Sequence, residues 1–415
     1  MMQRKLQALL QNLLPSNAFY ARKYDGTGIT PDISIDEFRA VAPFTTKAEL
    51  VADQQQHSPY GSNLTYPLEQ YTHFCQTSAT TGTPMRWLDT PGSWAWMLDN
   101  WQQVYAAADV TRNDRCFFAF SFGPFLGFWT AFDAAQALGC LCVPGGGMRS
   151  LARLQAIIDN RITALCCTPT YAIHLGQVAA NQGIDLEQAA VRAIIVAGEP
   201  GGSIPATGAH IEALWPTAKL YDHHGMTEVG PVSYQCPARP GRLHVIGSAY
   251  LVEVIDPETL AAVAPGMPGE LVLTTLGRDA CPLLRYRTGD LVNAPDCGTC
   301  ECGTEDPALE GGILSRVDDM FIIRGVNVYP GAVEAVVRQF SEVEEYRVNV
   351  SGDATLRELS IEVEIAPKCS DAGILKKKIS DALSTSFSMR IDVAIVASGT
   401  LPRFELKASR WIVST

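Results

Sequence analysis

Short apolar runs alternate with helix-like segments between about residues 115 and 276. The runs are rich in β-branched, aromatic and cysteine residues, and they include RCFFAF, TALCCTP, RAIIVAG and GELVLTTL. Continuous apolar strands separated by helical segments are typical of βα units, in which helices cover both faces of a parallel sheet. The pattern therefore predicts that the larger part of the chain is an α/β domain.

The pattern changes after GGILSRVDD, a stretch of glycines and charges. Apolar positions follow one helical face at 333–340, alternate at 359–365, return to a helical face at 375–382 and alternate again at 391–395. A helix-strand-strand-helix-strand module of about 100 residues is large enough to form an α+β domain. The boundary is predicted at Ser315–Asp319, which gives domains of residues 1–315 and 316–415.

Composition and charge exclude several classes of function. The 415 residues are 47% hydrophobic, and no window approaches the roughly 20 uninterrupted apolar residues of a membrane-spanning helix. A net charge of −12 repels phosphate backbones and argues against nonspecific nucleic-acid binding. The N-terminal segment lacks the apolar run of a signal peptide, and 12 cysteines in so large a chain do not suggest a disulfide scaffold. We expect a cytoplasmic protein that binds neither membranes nor nucleic acid.

The first candidate for chemistry is QTSATTGTPMRW at residues 76–87. Hydroxyl side chains crowd around Gly82, so backbone N–H and side-chain O–H groups can converge on phosphate oxygens. The segment predicts a phosphate-binding loop. A Ser/Thr-rich turn between strands is the structural alternative, because the segment lacks the Walker spacing.

Two carboxylates lie beside glycine turns. Glu228, in YDHHGMTEVGP after AGEPGG, could hold Mg²⁺, which takes one or two carboxylates together with ligand phosphates. Asp290, in LLRYRTGDL, could accept both hydroxyls of a ribose. Taken alone, each has an ordinary alternative as a surface Glu or a turn Asp. Two more charged segments follow, SRVDDMFIIRGVNVYPGAVE and LPRFELKASR.

These five segments, in this order, resemble the core motifs of the adenylate-forming superfamily, which includes acyl- and aryl-CoA synthetases, peptide-synthetase adenylation domains and luciferases. RVDDMFIIRGVNVYPGAVE and the short chain are most similar to the phenylacetate-CoA ligase branch. The resemblance, over roughly residues 45–407, implies a large adenylating domain of mixed sheets and helices and a small mobile C-terminal domain. It also implies an enzyme that converts a carboxylic acid to an acyl-adenylate with ATP, then transfers the acyl group to coenzyme A.

The resemblance assigns the central chemistry to three positions. Lys407 is the expected catalytic cation, which bridges the attacking carboxylate, the ribose and the α-phosphate. Thr227 contacts the α-phosphate, and Glu228 holds Mg²⁺. An ionised carboxylate is a poor nucleophile toward a polyanion, so a fixed cation on the transferring group lowers the barrier by reducing repulsion and by alignment.

The resemblance also implies a nucleotide site and a hinge. Asp290 binds the ribose, Arg316 contacts ribose or phosphate, and Asp318 is the point about which the small domain turns. The loop for the β- and γ-phosphates comprises Ser78, Thr80, Thr81 and Gly82. The remaining nucleotide-binding positions are Gly198, Glu199, Pro200, His223, His224, Gly225 and Met226.

Three departures from the family pattern bear on the substrates. Ala79 and Thr83 replace the usual Gly and Lys of the phosphate loop, which removes a cation near the pyrophosphate. His224 replaces the Tyr that packs on adenine, although an imidazole can still stack. FAFSFGPF at 118–125 lacks the Asp that binds an α-amine, so an amino acid is disfavoured. The aromatic residues there and at 128–129 predict an apolar or aromatic acid pocket, with core packing as the alternative.

Four soft ligands predict a structural zinc site. Cys236 and His244 form C-x7-H, and Cys300 and Cys302 form C-x-C further along the chain. Thiolates and imidazole in a set of four suit tetrahedral Zn²⁺, with no position left open for water. Some phenylacetate-CoA ligase relatives have this arrangement. Cys297 offers a competing C-x2-C choice with Cys300, and free thiols are the other alternative.

Two other functions are kept open. The acceptor could be the phosphopantetheine thiol of an acyl carrier protein, because its reactive arm is the same as that of CoA. A catalytically silent nucleotide-binding scaffold is the alternative of another class, motivated by Thr83 and His224. The oligomeric state, including a homodimer, and the identity of the acid are also open.

Overall fold

The computed structural model describes residues 1–77, 84–296, 298–324, 326–352, 357–366, 369, 371–404 and 408–414. Its α-helices are α1 Met2–Leu13, α2 Ala18–Lys23, α3 Ile35–Val41, α4 Lys47–Gln56, α5 Pro91–Ala107, α6 Leu126–Leu138, α7 Ser150–Asp159, α8 Pro169–Gln182, α9 Pro205–Leu214, α10 Pro330–Val337 and α11 Ala372–Phe387. Single 3₁₀ turns are found at Leu68–Gln70, Leu186–Gln188 and Val317–Asp319.

The first fourteen strands belong to the N-terminal part of the chain: β1 His73–Gln76, β2 Arg86–Asp89, β3 Arg115–Phe118, β4 Leu141–Pro144, β5 Ala164–Cys167, β6 Ala193–Val196, β7 Lys219–Asp222, β8 Gly225–Met226, β9 Gly230–Pro231, β10 Ser233–Gln235, β11 Arg242–Val245, β12 Tyr250–Ile255, β13 Pro268–Thr275 and β14 Tyr286–Asn293. The others are β15 Ala308–Glu310, β16 Ser315–Arg316, β17 Phe321–Ile323, β18 Val326–Val328, β19 Val343–Ser351, β20 Glu358–Ile365, β21 Asp392–Val396 and β22 Trp411–Ser414.

A five-stranded parallel sheet forms the centre of the large domain, in the order β4-β3-β5-β6-β7. Alternate residues of its strands point to opposite faces. Phe117, Leu165 and Ile194 join one core with α7, α8 and α9. Cys116 and Cys166 join the other core with α5 and α6. Both faces are covered, which explains the uninterrupted apolar runs and confirms the predicted α/β class.

Local signals set the helices that flank this sheet. Thr168 accepts a hydrogen bond from the backbone N–H of Tyr171, and Pro169 begins α8, so the helix starts directly after β5. Gly183, with φ of +68°, ends it in a left-handed turn. The start of α8 therefore lies at the carboxyl end of the parallel sheet, the edge at which α/β proteins bind ligands.

One sequence expectation about this region is wrong. GELVLTTL does not extend the parallel sheet, because β13 pairs antiparallel with β12 and β14 in a separate sheet of order β12-β13-β14-β16. That sheet shares a core with the buried leucines of α1. An antiparallel strand covered on both faces also shows a continuous apolar run, so periodicity alone did not give its direction.

The C-terminal module has the predicted order of helix, two strands, helix and strand, given by α10, β19, β20, α11 and β21. A hairpin of β17 and β18 precedes it, and β22 adds a parallel edge beside β19, which gives the order β21-β20-β19-β22. Before the module, β16 still pairs with β14 of the large domain. The chain leaves that sheet at the turn Val317–Asp319.

No helix among the described residues is long and apolar enough to cross a membrane.

Candidate active site and metal cluster

A buried ion pair holds the turn that carries Thr227 and Glu228. The turn joins β8 to β9, which pair as a hairpin. Arg278 donates from Nη1 to the backbone oxygens of Thr227, at 2.7 Å, and Glu228, at 2.9 Å. Its Nε and Nη2 donate to the two carboxylate oxygens of Asp89 at 2.8 and 2.6 Å. Both charged side chains are fully buried, so the turn has a fixed position.

The carboxylate of Glu228 is buried and faces Lys47, whose Nζ lies 3.5 Å from Oε1. Lys47 begins α4. Two residues earlier, the Thr45 N–H donates to the backbone oxygen of Arg285, and the Thr45 oxygen accepts from the N–H of Arg287, both at 2.9 Å, which ties this segment to the start of β14. The Lys47 side chain is about half exposed, so its ammonium group has room to move. Lys47 therefore places a cation beside the proposed magnesium ligand, in a site that has Thr83 where the family has Lys.

Asp290 receives hydrogen bonds on both oxygens. Arg316 Nη1 donates to Oδ1 at 3.1 Å, and His224 Nε2 lies 2.9 Å from Oδ2. Asp290 and Arg316 are direct partners on β14 and β16, and Arg316 also bonds Asp318 at 2.9 Å. Gly289, with φ of +75°, is required here, because an added Cβ would lie 2.7 Å from Arg316 Nη2. The structure thus brings together four residues predicted from three separate segments.

The β8–β9 hairpin brings Glu228 near this cluster, because His224, which bonds Asp290, directly precedes β8. Burial, together with the negative charge of Glu228, raises the pKa of Tyr286 well above its usual value, and Arg316 opposes the shift. The side chain is 1% exposed. Charges from the β8–β9 turn and from the β14–β16 pair therefore both act on this buried phenol.

His223 lies on the other side of the same turn. Its Nδ1 donates to the backbone oxygen of Ser233 at 2.6 Å, and its ring centroid is 4.3 Å from that of Trp101. Burial lowers the pKa of His223 to about 4, so the ring is neutral and its Nε2 carries no proton. An added Cβ on Gly225 would lie 2.9 Å from the backbone oxygen of Gly230, so glycine is needed for this hairpin.

The AGEPGG loop follows β6 and has a different environment. Gly198 takes φ of +96°, and Gly198 and Pro200 are exposed. The Glu199 carboxylate accepts from the backbone N–H of Thr170 at 2.9 Å and of Ala408 at 2.7 Å. Both of its oxygens therefore bond protein N–H groups, one in α8 and one in the C-terminal domain.

Several predicted site residues lie outside the described part of the chain. They are Ser78, Thr80, Thr81 and Gly82 of the phosphate loop, with its neighbours Ala79 and Thr83, together with Lys407 and Cys297. The residues that flank the loop are described. Thr77 and Met85 exchange two bonds, backbone N–H of Thr77 to Met85 O at 2.9 Å and Met85 N–H to Thr77 Oγ1 at 3.0 Å.

The predicted aromatic residues pack on one another beside the β8–β9 hairpin. Phe120 stacks on Phe128 at 4.2 Å, and Phe122 meets Trp129 edge-on at 5.1 Å. Phe122 adopts φ of +50°, an uncommon value for a bulky side chain. Phe120 is buried, whereas Trp129 is 40% exposed, so the group is core at one end and surface at the other.

The four predicted metal ligands form one cluster. The ligand atoms of Cys236, His244, Cys300 and Cys302 all lie within 4.8 Å of one another. Cys236 Sγ is 3.7 Å from Cys300 Sγ, and Cys302 Sγ is 3.4 Å from His244 Nε2. Sulfurs about 2.3 Å from a tetrahedral Zn²⁺ would be about 3.8 Å apart, so the donor set fits this ion.

Neighbouring groups prepare this cluster for a cation. His244 Nδ1 donates to Asp306 O at 3.0 Å, which leaves Nε2 facing the sulfurs. A bond from the backbone N–H of Cys302, with Arg242 Nη1 at 3.2 Å, lowers the pKa of the Cys300 thiol to about 6. The cluster joins the β10–β11 hairpin to the segment before β15.

Neither Arg278 nor Asp89 was expected from the sequence, because they are 189 residues apart and neither belongs to a recognised segment. Lys47 was also missed. Its only signal was its place at the start of the resemblance, after a helix-capping Thr46.

Comparisons with known proteins agree with this geometry. The AMP-binding enzyme family matches residues 33–277, and the AMP-binding enzyme C-terminal domain matches residues 325–413. Phenylacetate-coenzyme A ligase of Thermus thermophilus is 30% identical over 97% of this chain and 93% of its own. The Escherichia coli K12 enzyme of that name is 29% identical over 98% of this chain and 92% of its own.

Solved structures of a 2-hydroxyisobutyryl-CoA ligase share the fold. In its postadenylation state, with R3-HIB-AMP, that protein has a TM-score of 0.93 and 27% identity over 100% of this chain and 89% of its own. In its thioesterification state, with 2-HIB-AMP and CoA, the TM-score is 0.74, with 28% identity over 99% of this chain and 88% of its own.

Together these findings define an adenylate-forming fold, in which Asp290 contacts Arg316 and His224, and all three are residues predicted to bind the nucleotide. The chain belongs to the AMP-binding enzyme family and, within it, to the phenylacetate-CoA ligase-like branch. The family, the branch and the fold class predicted from the motifs are confirmed.

Proposed function

We propose that this protein is an ATP-dependent acid–CoA ligase acting on an aromatic or otherwise apolar carboxylic acid. The observation that carries the proposal is the pairing of Asp290 with Arg316 and with His224, which directly precedes the hairpin that carries Glu228, in a chain of this family. In the first step, an oxygen of the acid attacks the α-phosphorus of ATP, and pyrophosphate leaves. In the second step, the CoA sulfur attacks the acyl carbon, and AMP leaves.

Each residue of the cluster has a task in this reaction. Asp290, already oriented by Arg316 and His224, accepts the ribose hydroxyls and so fixes the nucleotide. Thr227, held through its backbone by Arg278, contacts the α-phosphate. Glu228 would hold Mg²⁺, which supplies neutralisation of the phosphate charge. Because a buried carboxylate needs a counter-charge, Lys47 satisfies Glu228 when the cation is absent.

Lys407 is assigned the cation on the transferring phosphoryl group, on sequence grounds, and the acid pocket is assigned to the wall between α5, α6 and β8. Phe122, Phe128 and Trp129 give that wall its apolar character. Rotation of the C-terminal domain about Asp318 then exposes the acyl-adenylate to the thiol. The reaction needs only soluble substrates, and reduced thiols fit a cytoplasmic location.

The test is pyrophosphate release from ATP with a panel of aromatic and aliphatic acids, followed by CoA or a holo-carrier protein as acceptor. We expect acid-dependent release, acyl-CoA as product, and a loss of about 100-fold or more in Lys407→Ala, since one transition-state donor is removed. If product forms only with the carrier protein, the acceptor is the phosphopantetheine thiol of the carrier and not CoA. ATP binding without turnover of any acid, in both proteins, would favour a scaffold.

We also propose that Cys236, His244, Cys300 and Cys302 bind one structural Zn²⁺. Four protein ligands leave no open position, so the ion would hold the β10–β11 hairpin to the loop before β15 and would take no part in catalysis. The donor types, their spacing and the His244–Asp306 bond support this assignment.

Metal analysis of the purified protein should give about one equivalent of zinc. Cys302→Ser should lose it and lower the unfolding temperature, because binding energy of the ion is folding energy. Cys369→Ser, at a half-buried cysteine of the other domain, is the matched control. It should keep the zinc content and the unfolding temperature of the wild type. Full zinc content in Cys302→Ser would contradict this ligand set and point to Cys297.

A further inference from the structure

We propose that Glu199 is a positioning residue for adenylation, whose carboxylate docks Ala408, the residue that follows Lys407 in the sequence, onto the large domain. This inference rests on the proposed function, and it gives Glu199 a role different from the nucleotide contact expected from sequence. The proposed reaction requires the C-terminal domain to adopt two orientations, so a contact that holds one of them controls one half-reaction.

The position of Glu199 is fixed from the large domain. The residue follows β6, and its Oε1 accepts from the Thr170 backbone N–H in the first turn of α8 at 2.9 Å. That N–H has no partner within the helix, and the first turn of a 14-residue helix favours a negative charge. One oxygen of Glu199 is therefore anchored, and this anchoring aims the other oxygen outward from the carboxyl edge of the sheet.

The outward oxygen meets the C-terminal domain. Glu199 Oε2 accepts from the backbone N–H of Ala408 at 2.7 Å, across 209 positions of sequence. Ala408 directly follows Lys407, so the bond restrains the main chain one residue from the catalytic cation. A charge-assisted bond to a backbone amide is short and directional, which suits it to setting the start of a long, flexible lysine side chain.

A second contact lies beside the first. The Arg410 guanidinium places Nη1 and Nη2 each 3.3 Å from Thr170 Oγ1, next to the N–H that Glu199 binds. Arg410 is paired within its own domain with Glu345, at 2.6 Å from Nε and 3.2 Å from Nη2. Thr170 thus takes part in both contacts. They hold Ala408 and Arg410, which flank Ser409 in the sequence.

These contacts can open without stranding a charge. When the domains separate, Arg410 keeps Glu345, and Glu199 keeps the Thr170 amide while its other oxygen meets water. The Ala408 N–H is likewise free to bond water. Because Arg410 keeps its counter-ion and the freed oxygen of Glu199 is solvated, separation leaves no buried, unpaired ion, which suits the interface to repeated docking and release.

The structure that contains these contacts is more similar to one solved state of a related ligase than to another. The TM-score is 0.93 against the postadenylation structure of the 2-hydroxyisobutyryl-CoA ligase and 0.74 against its thioesterification structure. The Glu199–Ala408 bond therefore belongs to an arrangement like that of the postadenylation structure, which holds an acyl-adenylate, and unlike that of the thioesterification structure. The bond predicts that Glu199 matters for making the acyl-adenylate and not for consuming it.

The test separates the two half-reactions in Glu199→Gln. An amide offers one acceptor oxygen and turns an N–H₂ toward the second amide, so docking is lost while the side-chain volume is kept. We expect pyrophosphate release to fall about 10- to 100-fold, as for a misplacement of about 1 Å. Thioester formation from preformed acyl-adenylate and CoA should stay within about twofold, with KM for ATP unchanged. Glu187→Gln, at an exposed glutamate of the same domain, should match wild type in pyrophosphate release, thioester formation and KM for ATP.

A readout without chemistry keeps docking testable by itself. Tryptic cleavage after Lys407, followed by mass spectrometry, should be about tenfold faster in Glu199→Gln than in wild type and in Glu187→Gln, because a charged hydrogen bond no longer restrains Ala408. This result would hold even if wild type formed no acyl-CoA, which would overturn only the proposed function.

Equal losses in both half-reactions with a raised KM for ATP would make Glu199 a nucleotide contact and overturn the inference. Unchanged pyrophosphate release and unchanged cleavage would overturn it as well.

Discussion

Two arginines of this protein are almost equally buried, yet their counter-ions are arranged differently with respect to the two domains. Arg278 is paired with Asp89 inside one domain and also bonds the backbone of the Thr227 turn. Arg410 lies at the domain interface, but its charge is balanced by Glu345 of its own domain, and its hydrogen-bond partner in the large domain, among the described residues, is the neutral hydroxyl of Thr170. The first arrangement fixes the Thr227 turn, and the second is compatible with the domain rotation proposed above.

The difference teaches where a buried charge can be used. Separating the partners of a buried pair leaves an uncompensated ion, so such a pair is suited to parts that must never move. A moving interface needs contacts whose loss costs little, such as hydrogen bonds to groups that water can replace. The same residue type thus serves rigidity or motion according to which domain supplies its counter-ion.

The largest effect should come from breaking the fixed pair. Asp89→Asn leaves Arg278 buried without a counter-ion and should destabilise the large domain by about 3–5 kcal/mol. Chemical unfolding followed by tryptophan fluorescence measures this loss, and pyrophosphate release should fall as the Thr227 turn loosens. Asp392→Asn, which removes an exposed pair with Arg390, should leave stability unchanged. A loss below about 1 kcal/mol in Asp89→Asn would mean that water compensates Arg278.

The smallest effect should come from the interface. Thr170→Val removes the hydroxyl that faces Arg410 with little change in volume, and both bonds are long at 3.3 Å. Because Arg410 keeps Glu345, we expect unchanged stability and a two- to fivefold slower pyrophosphate release, the cost of about 0.5–1 kcal/mol of docking. Thr385→Val, on exposed α11, is the control. A stability loss comparable to that of Asp89→Asn would erase the distinction between the two arginines.

The sequence predicted much of the candidate site because its residues lie in short segments with strong local constraints. Asp290 and Arg316 are neighbours on adjacent strands, and both follow apolar runs that fix their register. The four soft ligands were identifiable by type and spacing, and the structure gathers them within 4.8 Å. Roles carried by Lys407 and the phosphate loop remain predictions.

Other features depended on partners far away in the chain. The direction of β13 was wrong because burial on both faces gives the same apolar run in parallel and antiparallel sheets. Lys47 had no sequence feature that linked it to Glu228. Glu199 was assigned to the nucleotide, yet both of its oxygens bond protein amides.

By itself, the sequence determined the fold class, the order of the motifs and the chemical types of the site residues, because periodicity, glycine turns and ligand softness are local properties. Tertiary structure alone decided which charges neutralise one another. Coulombic and hydrogen-bonding energies depend on distances of a few ångströms, and chain folding brings together residues such as Asp89 and Arg278, or Glu199 and Ala408, that are about 200 positions apart. The pairing of Arg410 with Glu345 within one domain, on which the proposed release of that domain depends, follows from this same folding.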